Sequence, residues 1–216
     1  DIYTVDYSDQ LADHLTAYPI ESWQWTYQKF NQETHESLPY IALYEGLKFY
    51  YHNFGDPVFS SIDNFIEMGG IPFLTQYFKS RGIRFNQPTE ISEGTKNTLI
   101  WLAWKRDNFE YFKMFMSAFS DVLTTPRYDS AYWQNRFGRF YLKHGELDTA
   151  KDYFQKAIVN YPNTLSLHEG LAQVFKAQGD TAGAQAQYLK AIALAEQSQD
   201  PSVSQLKADL ATLRAN

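Results

Sequence analysis

Six positions recur at a constant offset of 34 residues in the last third of this chain. Gly138, Tyr141, Gly145, Ala150, Phe154 and Ala157 are answered by Ala172, Phe175, Gly179, Ala184, Tyr188 and Ala191. Small residues stand where two antiparallel helices must approach closely, and aromatic rings fill the spaces beside them. Pro162 closes the first copy, where the chain must leave a helix. A unit of this length cannot bury its apolar face alone and has to stack on a neighbour. The pattern commits residues 128–216 to an array of helical hairpins.

Tetratricopeptide repeats have this period, and residues 128–216 resemble two of them followed by a capping helix. Asp129 or Ser130 can cap the first repeat, and Asn163 or Ser166 the second. Asp200 followed by Pro201 reads as a cap with proline at the first helical position. The helix that follows carries Val203, Leu206, Leu210 and Leu213 on one face, which suits a solvating end cap. The resemblance implies binding of a protein or peptide on the concave surface, formed by the first helix of each hairpin. Residues able to project there are Asn135, Arg139 and Lys143, then Glu169, Gln173 and Lys176. Arg139 and Lys143 stand four apart and could clasp a peptide carboxylate, with solvated surface charge as the plainer alternative.

Residues 55–127 are a linker and a divergent hairpin. Pro57, Gly69–Gly70, Pro72, Gly82 and Pro88 interrupt the early part, with a helix expected over 70–81. Residues 92–106 and 108–123 read as an antiparallel pair joined by a tight turn at Asp107–Asn108. Its spacing to the next hairpin is not 34 residues.

Residues 1–54 have another texture. Leu11 and Leu15 suggest a helix over 8–17, and helical spacing returns over 40–54 with Leu43, Leu47, Tyr50 and Tyr51. Between them Trp23, Trp25 and Tyr27 alternate with Gln24, Thr26 and Gln28, the pattern of a strand over 22–30. A lone strand leaves its backbone groups unpaired. The expectation is therefore an α-β-α remnant, the end of a larger sheet domain lying upstream. The unpaired strand could also join two copies as a homodimer.

The stretch from Trp25 to Phe49 contains Glu33, His35, Ser37 and Pro39, then Leu43, Tyr44, Gly46 and Leu47. It resembles the C-terminal motif of the esterase family of α/β-hydrolases that includes siderophore trilactone esterases and S-formylglutathione-hydrolase-like enzymes. The resemblance implies that His35 is the general base of a serine-hydrolase triad, in a bacterial protein of a kind often exported. Glu36 replaces the glycine of that motif. No serine lies between two glycines in a G-x-S-x-G elbow, so the nucleophile would have to come from upstream. This chain alone would be inactive. The alternative is a helical scaffold that binds proteins and catalyses nothing.

Composition narrows the rest. A net charge of −6 argues against a nucleic-acid footprint. No apolar run is long enough to span a bilayer. There is no cysteine, so disulfides and thiolate chemistry are excluded. His14, His52, His144 and His168 have neither helical ligand spacing nor a neighbouring second ligand, so neither a metal nor a cofactor is expected. His144 is expected to face solvent. The aromatic-rich runs around Tyr50, Phe112 and Phe137 are expected mainly to fill core.

Overall fold

The computed structural model describes residues 2–21 and 23–215. Its contacts divide into two units, one of residues 1–57 with 84–86 and one of residues 58–83 with 87–216.

The second unit is built of helices. After α3 (Ile62–Glu67) and α4 (Gly70–Phe85) come three hairpins: α5 (Glu93–Lys105) with α6 (Phe109–Ala118), α7 (Ala131–Lys143) with α8 (Leu147–Asn160), and α9 (Leu165–Ala177) with α10 (Thr181–Ser198). A short 3₁₀ turn, Ser120–Thr124, follows α6, where a longer helix to residue 123 was expected. The last helix, α11 (Val203–Ala215), lies on α10 and buries Leu206, Leu210 and Leu213.

Local chemistry sets the starts of these helices. Ser92 Oγ accepts the Thr95 N–H at 3.0 Å, Asn108 Oδ1 that of Tyr111 at 3.3 Å, and Ser130 Oγ that of Trp133 at 3.4 Å. Each satisfies one of the orphan donors of a helix N-terminus. Of the two expected caps for α7, Ser130 is therefore the one used. For α9 the expectation fails. Thr164 occupies the cap position, without a side-chain bond, in place of Asn163 or Ser166. The last helix also starts later than expected, because Asp200 accepts from the Ser202 N–H at 2.9 Å and holds residues 201–202 in a turn.

One turn design recurs in all three hairpins. The left-handed residue is Asp107 (φ 57°), Gly145 (φ 78°) or Gly179 (φ 78°). The following N–H reaches back five residues, from Asn108 to Ala103 O at 2.9 Å, Glu146 to Tyr141 O at 3.0 Å and Asp180 to Phe175 O at 2.9 Å. This closes orphan carbonyls at the helix end. The α5–α6 hairpin thus shares the geometry of the two recognisable repeats without their spacing.

Packing between hairpins centres on Phe154. A methyl group built on Gly138 would stand 2.8 Å from its ring, and one built on Gly170 would stand 2.3 Å away. The ring fills the gap that the two glycines leave between α7, α8 and α9. Aromatics carry the same core toward α3. Phe112 lies edge-on to Phe140 at 4.7 Å, Phe115 stacks on Phe119 at 5.7 Å, and Phe65 meets Phe115 at 5.2 Å. From Phe59 to Val174 the buried residues form one continuous cluster, and a second runs from Ala172 to Leu213.

The first unit holds α1 (Ile2–Ala17) and α2 (Leu38–Tyr51). The helical spacing read over 40–54 forms a helix that ends at Tyr51, with residues 52–54 in a turn, and none of the side chains described in this unit is buried. Tyr40, Leu43 and Tyr44 are 78%, 64% and 58% exposed. The expected strand is not formed: residues 23–30 have no regular secondary structure, and Ser22 lies outside the described residues. A period-2 apolar pattern becomes a strand only with a partner to bond, and no strand occurs among the described residues. Instead, the segment is tied to α1 through Asp9, which accepts from Tyr27 Oη at 2.8 Å and Lys29 Nζ at 2.6 Å. Phe85 packs among Tyr50, Tyr51 and Phe54 at 5.3–5.7 Å.

Candidate functional site

The first helices of successive hairpins present matching columns of side chains. Asn135, Arg139 and Lys143 lie ten, six and two residues before the turn residue Gly145. At the same distances before Asp107 stand Asn97, Trp101 and Lys105, and before Gly179 stand Glu169, Gln173 and Ala177. Four of the six sequence-selected residues meet in one cluster around Arg139. Its Nε donates to Asn135 Oδ1 at 3.2 Å, one terminal nitrogen to Gln173 Oε1 at 3.1 Å, and the other to Glu169 Oε2 at 2.8 Å. Gln173 also donates to Glu169 at 3.1 Å. The guanidinium therefore cross-links α7 to α9 with its charge matched in place.

Lys143 joins a different group. It pairs with Asp107 at 2.6 Å, and His144 Nε2 lies 2.9 Å from the other oxygen of the same carboxylate. Lys143 first and His144 second hold the Asp107 carboxyl below the usual aspartate range. His144 does not simply face solvent. Its ring stacks on Phe109 at 4.2 Å with an interplanar angle of 5°. The stack and the carboxylate fasten the α5–α6 turn to the α7–α8 turn. Lys176, the sixth residue, is exposed at the end of α9.

Sequence reasoning missed the groove beside this cluster. A hollow of about 370 Å³ is lined by Trp104, Lys105, Asp107, Arg136, Arg139, Phe140 and Lys143. A second, of about 490 Å³, shares Arg136 and is walled by Trp101, Tyr132, Trp133 and Arg127. Asn97 and Thr98 face it from α5. The signal that could have found the groove is the equal distance of Lys105 and Lys143 from their turns. It becomes visible only when the hairpins are aligned on Asp107 and Gly145.

Residues 136–164 match the tetratricopeptide repeat family model. The tetratricopeptide match spans most of α7 and α8 and the turn leading to α9. The groove opens between that repeat and α5, which lies outside the matched residues. No curated protein matches the chain.

The remaining predicted residues are dispersed. His35 is exposed on the turn before α2, and no hydrogen bond reaches its ring among the described residues. The turn is held by Ser37 Oγ, which accepts the Thr34 N–H at 2.9 Å. A hollow of about 540 Å³ between residues 26–30 and α2 is not lined by His35. His168 is buried, with its ring nitrogens 2.8 Å from the Pro162 carbonyl and from Gln187 Oε1. It braces the loop between repeats. His52 lies with Nδ1 2.7 Å from the Phe49 carbonyl. Among the described residues no group of three His, Cys, Asp or Glu could hold a metal, and no helix is long and apolar enough to cross a membrane.

Proposed function

We propose that the chain is a protein-interaction scaffold that works through the face formed by α7 and α9. The observation that carries this reading is the Arg139 cluster. Side chains from two repeats at matching positions are locked together on one surface, where a partner would meet a preformed polar pattern. The match to a tetratricopeptide repeat supports the same reading. In this proposal residues 128–216 form the binding module and residues 55–127 a linker and flanking hairpin.

The test is capture of binding proteins on the immobilised full chain, compared with a Lys143→Glu, Lys176→Glu variant and with Lys156→Glu. The reading expects proteins that bind the native chain and the Lys156 variant but are lost from the double variant. A set of captured proteins identical across all three chains would sink it.

A second reading concerns residues 1–54. The order Glu33, His35, Ser37, Pro39 and the exposure of His35 on its turn favour an α/β-hydrolase remnant whose histidine serves a serine supplied from upstream. Under this reading the partner is an upstream hydrolase domain, and two copies could pair through residues 22–30. Hydrolysis of a short-chain p-nitrophenyl ester by an upstream-extended protein, abolished by His35→Ala, is the expected result. Activity indifferent to His35 would remove the enzymatic reading.

A further inference from the structure

The geometry points to a ligand for the groove between α5 and α7: an extended acidic peptide that places a side-chain carboxylate against Arg136 and Lys105 and an apolar side chain against Trp104 and Phe140. This inference rests on the scaffold reading and names the chemistry of its partner.

Charge is the first argument. The chain carries −6 overall, yet the hollow of about 370 Å³ is lined by Lys105, Arg136, Arg139 and Lys143 against a single acid, Asp107. Two of those cations are already matched, Arg139 by Glu169 at 2.8 Å and Lys143 by Asp107 at 2.6 Å. Arg136 and Lys105 have no carboxylate partner among the described residues. The unmatched positive charge therefore belongs to these two and not to the Arg139–Lys143 pair singled out by spacing.

The setting of Arg136 is the second. Its guanidinium lies 4.4 Å from the Trp104 ring, 5.0 Å from Tyr132 and 5.4 Å from Trp133, and it donates to Tyr132 Oη. Aromatic faces hold a guanidinium in place while leaving most of its in-plane donors unused, and its planar fork matches a carboxylate bidentately. The rings also keep bulk water from one side, which strengthens a charge-assisted bond formed on the other.

Shape is the third. The two hollows share Arg136, one floored by Trp104 and Phe140, the other walled by Trp101, Tyr132 and Trp133. An extended strand places alternate side chains on one side of its backbone. A carboxylate at Arg136 flanked by apolar side chains would fill both hollows at once.

The test selects from short random peptides displayed on phage, using the full chain as bait. One enriched peptide, amidated at its C-terminus, is then titrated by fluorescence polarisation. Expected are sequences with Asp or Glu beside aromatic or large aliphatic residues, and binding that weakens with added salt. Lys105→Glu, an exposed change, should weaken binding by about tenfold or more. Arg136→Gln should do the same with helix content unchanged. Asp107→Asn should tighten binding, because asparagine tolerates the left-handed turn while the groove loses its one acid and Lys143 is released. Enriched peptides without acids, affinity unaffected by Lys105→Glu, a requirement for a free C-terminal carboxylate, or equal displacement by an oligothymidylate would each overturn the inference. If the Lys143, Lys176 variant still loses its captured proteins while no acidic peptide is enriched, this inference falls and the scaffold reading stands.

Discussion

The two units of this protein have similar apolar content and opposite fates for it. In residues 58–216 the large side chains interlock: Phe154 sits between two glycines, and Phe112, Phe115 and Phe137 are almost fully buried. In residues 6–57 Leu43, Leu47, Tyr50 and Tyr51 hold the same helical spacing and remain on the surface. Spacing creates an apolar stripe. Whether the stripe becomes core depends on a second stripe of complementary shape, and in the first unit the Phe85 ring against Tyr50, Tyr51 and Phe54 buries none of them fully. Helix stability in water comes mainly from such packing, so α1 and α2 rest largely on their own propensity.

The largest break in this comparison is expected from core truncation. Phe154→Ala leaves a cavity at the meeting of α7, α8 and α9 and should cost about 3–5 kcal/mol, read as a lower denaturation midpoint. Gly170→Ala presses a methyl into the same ring and should cost about 1–3 kcal/mol. Tyr44→Ala in α2 should move the midpoint by no more than about 0.5 kcal/mol. An equal loss from Tyr44→Ala would show that α2 is buried in solution.

Limited proteolysis sharpens the comparison next. Backbone that opens with little loss of buried surface is cut first. Early cleavage should fall within residues 18–37, which hold no helix among the described residues, and leave a fragment starting after them and reaching the C-terminus. First cuts at Gly145 or Gly179 would contradict the assignment of stability to the hairpins.

How much of this was legible in the sequence follows the same physics. The 34-residue offset is readable because close packing dictates it: Gly138 must be small where the Phe154 ring lies, and Gly145 takes a positive φ that favours glycine. The α5–α6 hairpin makes the same turn but hides it. Ile100, Phe112 and Phe119 stand where the clear repeats have glycine or alanine, and Asp107 replaces the turn glycine. The groove was illegible for that reason, since half of its lining comes from the off-period hairpin. The strand expected over 22–30 misled because alternation reports a half-buried face and says nothing of whether a partner exists. His144 misled because its partners, Phe109 and Asp107, belong to the preceding hairpin, more than thirty residues earlier in the chain.

The smallest expected effect is the response to pH, and it separates the units by cause. Burial pushes the Tyr141 phenol up to about 12, and burial beside Tyr141 raises Tyr153 further. Both phenols ionise near 10 when unfolded. Their folded values are raised, so their contribution to stability is fully present below about pH 10 and is lost as pH climbs through the folded values. Tyr27 is also raised, chiefly by its hydrogen bond to Asp9, but it is exposed to solvent, and solvent and salt screen that pairing. An alkaline titration should therefore show two populations of phenolate. One, including Tyr27, appears reversibly with helix content intact and moves toward the ordinary tyrosine value in high salt. The other appears only as the hairpins unfold. At the acid end Asp107, held low by Lys143 and His144, contributes above the ordinary aspartate range, and this contribution is lost as pH falls through its folded value. Asp107→Asn should remove that acid-side loss and leave the alkaline unfolding step unchanged. A variant that shifted both limbs would mean that the clasp between the α5–α6 and α7–α8 turns also governs how deeply Tyr141 and Tyr153 are buried.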